Sequence, residues 1–220
     1  MLRKACIVVA ALFLLTPAAL SQNGGKFDAS FNGALVFTKT STGSGVQQSA
    51  TIGANYFGTF RARIHGKHSL IFDYGRARNS QIYQNGFDFH VLTSISEISG
   101  AWMYSPLQGG RFEPFVLAGG GVLRFKPSST FVILPEVVAG VPNNVLVNLN
   151  TVQQTEGALL YGGGVDYRLF GRLALRLQYR GFVYGSPDFK VNSSTNGAIS
   201  FVTSTKGHMA EPSVGLVFRF

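Results

Sequence analysis

From Phe27 onward apolar and polar residues alternate with a period of two, the spacing that sends successive side chains to opposite faces of a β-strand. In the first segment Phe27, Ala29, Phe31, Gly33, Leu35 and Phe37 share one face, while Asp28, Ser30, Asn32 and Thr38 share the other. The second places Ile52, Ala54, Tyr56, Phe60, Ala62 and Ile64 opposite Thr51, Asn55, Thr59, Arg61 and Arg63, with Phe57 an exception on the polar side. His65-Gly66-Lys67 reads as a tight turn into a third strand, where Leu70, Phe72 and Tyr74 oppose Ser69 and Asp73. The fourth, Phe87 to Tyr104, begins in phase and loses it near Glu97, which predicts a bulge or a twist in register there. Pro106 to Arg111 is a turn into the fifth strand, Phe112 to Phe125, and the sixth covers Glu156 to Leu169, with Tyr161, Val165, Tyr167 and Leu169 opposite Asp166 and Arg168. In the seventh, Leu173, Leu175, Leu177, Tyr179 and Val183 face away from Arg176, Gln178 and Arg180. The eighth, His208 to Phe220, sets Pro212, Val214, Leu216, Phe218 and Phe220 against Glu211, Ser213, Gly215 and Arg219.

Eight is an even number of strands, as an antiparallel barrel of the bacterial type requires, and strands of about 10 residues tilted by about 45° cross an apolar layer. The predicted fold is all-β: an eight-stranded antiparallel transmembrane β-barrel. Connections two to three, four to five and six to seven are short. The others, roughly residues 39–48, 79–86, 126–154 and 186–207, are longer, which is the asymmetry between periplasmic turns and extracellular loops. Both mature termini fall on the short-turn side. A soluble secreted β-sandwich or lipocalin-like barrel also alternates and is the competing fold.

Composition narrows this picture. Of 220 residues 45% are hydrophobic, and the single cysteine, Cys6, excludes a disulfide-stapled fold and a cysteine metal cluster. Beyond the first twenty residues no apolar run approaches the length of a membrane helix. Arg3 and Lys4, the apolar run Ala5 to Leu15 and the small residues Ala19 and Ser21 read as a secretory signal peptide. The expected organisation is therefore a signal peptide over 1–21 and one barrel domain over 22–220. Cys6 precedes the end of the apolar run, the wrong place for a lipoprotein anchor. Losing Arg3 and Lys4 takes the net charge from +9 to about +7.

With its glycine-rich strands Phe115-Val116-Leu117-Ala118-Gly119-Gly120-Gly121-Val122 and Tyr161-Gly162-Gly163-Gly164-Val165-Asp166-Tyr167, and its last strand Val214-Gly215-Leu216-Val217-Phe218-Arg219-Phe220, the chain resembles the small bacterial outer-membrane β-barrels. The familiar member is the OmpA transmembrane domain, and the likeness runs from Lys26 to Phe220 without a peptidoglycan-binding domain. That resemblance implies a Gram-negative outer membrane. It also implies that Val214, Leu216, Phe218 and Phe220 form the signal read by the barrel-assembly machinery.

On this fold Arg61, Arg63, Asp73, Asp166, Arg168, Arg176, Arg180, Glu211 and Arg219 point into a lumen only wide enough for side chains to fill. Ions buried there need partners, which predicts a charged network. A narrow porin-like channel or a hydrophobic-solute conduit is the alternative. The segment 126–154 carries Phe131, Val132, Ile133, Leu134, Val137, Val138 and Val141, unusually apolar for an exposed loop. It extends a hairpin, caps the barrel or meets a partner. Lys39, Arg76, Arg78, Lys126, Lys190 and Lys206 lie near the rim, where cations suit lipopolysaccharide phosphates; membrane lipid is the other expected partner. The scattered His65, His68, His90 and His208, of which the first two read as a surface pair across a turn, form no nucleophile–base motif or metal shell, so no enzyme activity and no cofactor are expected. Secretion argues against a nucleic-acid partner despite a pI near 9.9.

Overall fold

The computed structural model describes residues 26–43, 46–84, 88–128, 130–138, 141–150, 152–187, 192–193, 197–198 and 205–220. The segment 1–21 expected as a signal peptide, with Cys6, lies outside them, as do Phe87 and Lys190. In chain order the strands are β1 (Phe27–Thr38), β2 (Ser41–Gly43), β3 (Val46–Ala50), β4 (Gly53–His65), β5 (His68–Gln84), β6 (Asp88–Tyr104), β7 (Phe112–Pro127), β8 (Thr130–Val138), β9 (Val141–Asn150), β10 (Gln154–Phe170), β11 (Leu173–Gly185), β12 (Asn192–Ser193), β13 (Gly197–Ala198) and β14 (Lys206–Arg219).

Eight of these form a closed antiparallel barrel in the order β1-β4-β5-β6-β7-β10-β11-β14, and β14 returns to β1 with Phe31 opposite Leu216. Closure leaves the barrel wall without an open edge, the condition for a sheet to sit in lipid. It is sealed at the short-turn rim by reciprocal bonds: the Phe27 N–H donates to the Phe220 carbonyl at 3.1 Å and the Phe220 N–H to the Phe27 carbonyl at 2.9 Å. Gly66 and Gly171 take the left-handed backbone conformation that the tight turns β4–β5 and β10–β11 demand. Of the glycine triplets, Gly119 and Gly121 aim at the backbone of β6 so closely that a Cβ would collide with the Gly100 and Ile98 carbonyls. They let the wall curve sharply.

The strands turn their apolar residues outward. Phe31 is 66% exposed, Leu159 68% and Trp102 47%, whereas Arg61, Arg176 and Arg180 are buried in the lumen. This is the inverse of a soluble barrel, and it decides against the lipocalin-like alternative. Rings cluster on the belt near the short-turn rim, where Phe27 stacks on Phe60 at 5.7 Å and Trp102 on Tyr104 at 6.2 Å. Further up, Phe31 stacks on Tyr56 and Tyr161 packs against Tyr179.

Two expectations need correction. No bulge occurs near Glu97, because β6 pairs without interruption with β5 from Asp88 to Tyr104; the register shifts sit instead at Arg63/His65 and Arg168/Phe170. What changes along β6 is polarity. Near the short turns Trp102 and Ile98 face out and Glu97 and Ser99 face in, but higher up Val91 and Ile95 are the buried residues and Ser94 and Ser96 face outward. β5 and β7 do the same, with Ala77, Leu123 and Phe125 inside and Arg76, Arg78, Arg124 and Lys126 outside. Above the apolar belt the wall turns polar side chains outward and packs an apolar core inside.

The second correction concerns 79–86, expected as a long loop. The strands continue through it to Gln84 and resume at Asp88. Segment 39–48 folds largely into the ribbon β2–β3, whose second strand pairs with β5, and 126–154 into the hairpin β8–β9. A short β12–β13 pair joins β9 in a separate four-stranded sheet.

Candidate functional site: the filled lumen and the basic rim

Alternation along all eight barrel strands delivers six arginines and six carboxylates to the interior. In the lowest layer, nearest the short turns, Glu113 accepts from Arg219 at 2.7 and 2.9 Å and from Arg168 at 2.9 Å, with Arg63 Nη2 3.8 Å away. Above it Arg176 holds Asp166 in a two-pronged grip at 2.7 and 2.9 Å. Arg61 lies between Asp28 at 2.5 Å and Asp166 at 3.1 Å. Paired donors facing paired acceptors are the strongest arrangement open to a guanidinium.

The third layer centres on Arg180, which is fully buried. Its Nη2 lies 2.5 Å from Glu211 and 2.8 Å from Glu97, and its Nη1 3.3 Å from Asp73. The guanidinium carbon sits 3.5 Å from the centre of the Phe57 ring and 5.3 Å from that of Phe182. Phe57, the one aromatic that broke the pattern of its strand, is therefore the platform beneath the central cation. Asn55 ties two of the carboxylates together, donating to Glu211 at 2.9 Å and Glu97 at 3.1 Å, while the Thr59 hydroxyl donates to Asp73 at 2.5 Å. Over this layer Val36, Ile95, Leu123, Phe125, Leu160, Phe182, Tyr184 and Met209 close the barrel with apolar side chains.

The interior is thus filled by matched charges capped with hydrocarbon and does not form an open channel. The twelve charges balance overall but not layer by layer: Arg180 faces three carboxylates, whereas the two lower layers hold five arginines against Asp28, Asp166 and Glu113. All nine residues proposed for the lumen lie there, with Arg63 and Arg168 partly exposed at its mouth. Sequence reasoning missed Asp28, Glu97 and Glu113, half of the acidic set. Asp28 was on the correct face but was not counted. Glu97 was hidden by the change of polarity along β6, and Glu113 by its place at the start of a strand read for its glycines.

At the last strand Val214, Leu216 and Phe218 face outward and Phe220 packs on Phe27 and Phe218. The residues Phe131, Val132, Ile133, Leu134, Val137 and Val138 belong to β8, and Val141 opens β9. Of the rim cations, Lys39 and Lys206 are exposed on the β1–β14 side, diametrically across from Arg76, Arg78 and Lys126. Arg124 belongs to that second group and was not foreseen, because its alternation with Leu123 and Phe125 would place it inside if polarity did not invert. His65 stands opposite His68 beside the β4–β5 turn, His68 stacks on Trp102 at 5.2 Å, and His208 Nε2 meets the Tyr161 hydroxyl at 2.5 Å. Among the described residues no cluster of His, Cys, Asp and Glu is placed to hold a metal.

No protein-family model matches the chain, and no curated relative matches it in sequence. Solved structures do match. The outer membrane protein OprG from Pseudomonas aeruginosa is 14% identical with a TM-score of 0.59, over 89% of this chain and 96% of that one. Neisserial surface protein A is 17% identical with a TM-score of 0.56, over 89% and 97%. The outer membrane protein AlkL, solved in DMPC bilayers, is 15% identical with a TM-score of 0.53, over 90% and 91%. At such identities the likeness is one of fold: this chain is a small eight-stranded barrel of the outer-membrane type.

Proposed function

We propose that the chain is a surface-interaction barrel of a bacterial outer membrane, anchored by its apolar belt and working through the end that carries the long connections. Residues 1–21 serve as its signal peptide and 22–220 as the barrel domain. The short turns and both mature termini lie in the periplasm, and the hairpins face outward. Val214, Leu216, Phe218 and Phe220 present the last strand to the assembly machinery. The hairpin with Phe131, Val132, Ile133, Leu134, Val137, Val138 and Val141 is the contact surface for a partner, and the basic rim meets lipopolysaccharide. No catalytic step and no cofactor enter this reading.

The observation that carries it is the filled lumen around Arg180, since a barrel closed in its middle has its surface left to work with. The test is planar-bilayer conductance of the refolded mature chain, after heat-modifiable migration has established folding. We expect silence across salts and voltages. Discrete, reproducible openings would overturn the reading in favour of a channel.

A further inference from the structure

The register places two rungs of cations on the outward face of β5, β6 and β7, immediately above the apolar row Tyr74–Ile98–Val122. Arg76 stands across from Ser96 and Ser96 from Arg124; one rung higher Arg78 stands across from Ser94 and Ser94 from Lys126. Strands about 4.8 Å apart and a two-residue rise of about 6.7 Å put the Cα atoms of the four at the corners of a rectangle of about 10 by 7 Å, with the serines between them. Among the described residues no salt bridge joins any of the four to a carboxylate. With the Gln153 amide turned to present its oxygen, Arg124 Nε and Nη2 donate to it at 2.7 Å, which steadies one corner. A groove lined by Arg76, Arg78, Ser94 and Lys126 continues upward past Leu92 and Pro127.

Below the cations lies a second groove. It is apolar, bounded by Phe60 of β4, Leu70 and Phe72 of β5 and Trp102 of β6, and opens over Gly100 and Gly119. Anion-binding charge above and a hydrocarbon trough below describe the two halves of one amphipathic ligand. A free anion would have no use for the trough. We propose that this flank binds a phosphorylated, multiply acylated glycolipid of the leaflet at the long-loop rim, its phosphates on Arg76, Arg78, Arg124 and Lys126 and its acyl chains along the trough. The inference rests on the basic-rim reading above and deepens it, assigning the lipid to one side of the barrel.

The test uses the refolded mature protein and diphosphoryl lipid A as the probe, with bound lipid counted by native mass spectrometry. Replacing all four cations with glutamine (Arg76→Gln, Arg78→Gln, Arg124→Gln and Lys126→Gln) weakens binding by about tenfold or more, and the triple variant Arg76→Lys, Arg78→Lys and Arg124→Lys stays within about threefold of the parent. Lys39→Gln with Lys206→Gln, on the opposite side, leaves it unchanged. Lipid A stripped of phosphate binds the parent weakly, and inorganic phosphate alone does not displace the lipid. Heat-modifiable migration checks that each variant is folded. Unchanged binding by the fourfold variant overturns the proposal: if the Lys39/Lys206 variant loses the lipid instead, the basic-rim reading survives at another place, and if neither does, both fail. Displacement by inorganic phosphate also overturns it, since the site would then take a free anion.

Discussion

Arg180 shows how a single side chain comes to matter beyond its own contacts. It has left water altogether, which is costly for any ion, and it repays that cost by standing among Asp73, Glu97 and Glu211 on the face of the Phe57 ring. Removing it strands three carboxylates within one desolvated layer. Arg180→Met should therefore destabilise the barrel by about 3–5 kcal/mol, whereas Arg78→Gln on the outer wall should stay within about 0.5 kcal/mol. The check is urea unfolding of the refolded protein in lipid vesicles, followed by the fluorescence of Trp102, the only tryptophan in the chain. Equal midpoints for the two variants would mean that the central cluster contributes nothing to stability.

Along a strand, the informative feature is the level at which polarity changes sides. Nitroxides attached through Ile98→Cys should collide with oxygen dissolved in the bilayer, and those attached through Ser94→Cys with a water-soluble nickel complex. A lipid-like signal at Ser94 would place the membrane boundary higher than the rungs of cations and leave those charges in hydrocarbon. The same change of sides explains what could be read from the sequence and what could not. Strand number, faces and turns of β1, β4, β11 and β14 were legible because their alternation keeps one sense through most of their length. On β5, β6 and β7 a period-two pattern persists, yet the rule that polar means inward holds only inside the membrane. Glu97 and Arg124 were lost for that reason, and a bulge was expected where only the solvent changes. The hairpin β8–β9 was legible as unusual but not as a sheet, since a short apolar run reads alike as strand, cap or contact surface.

For the molecule as a whole, the decisive property is that the interior charges are contributed by every barrel strand: Asp28 by β1, Arg61 and Arg63 by β4, Asp73 by β5, Glu97 by β6, Glu113 by β7, Asp166 and Arg168 by β10, Arg176 and Arg180 by β11, and Glu211 and Arg219 by β14. Unfolding should accordingly be all-or-none, with Trp102 fluorescence and circular dichroism giving coincident urea transitions. Separated midpoints would show a part of the barrel surviving alone. The route into the membrane follows from the same arithmetic. Until β14 docks, Arg180 lacks Glu211 and keeps Glu97 and Asp73, and Glu113 lacks Arg219 and keeps Arg168, so an unfinished barrel holds these ions with fewer partners than the closed one. Because β14 brings one charge of each sign, Glu211 and Arg219, it completes the pairing of the interior and not its charge balance: the ions have their full set of partners only when the last strand meets the first.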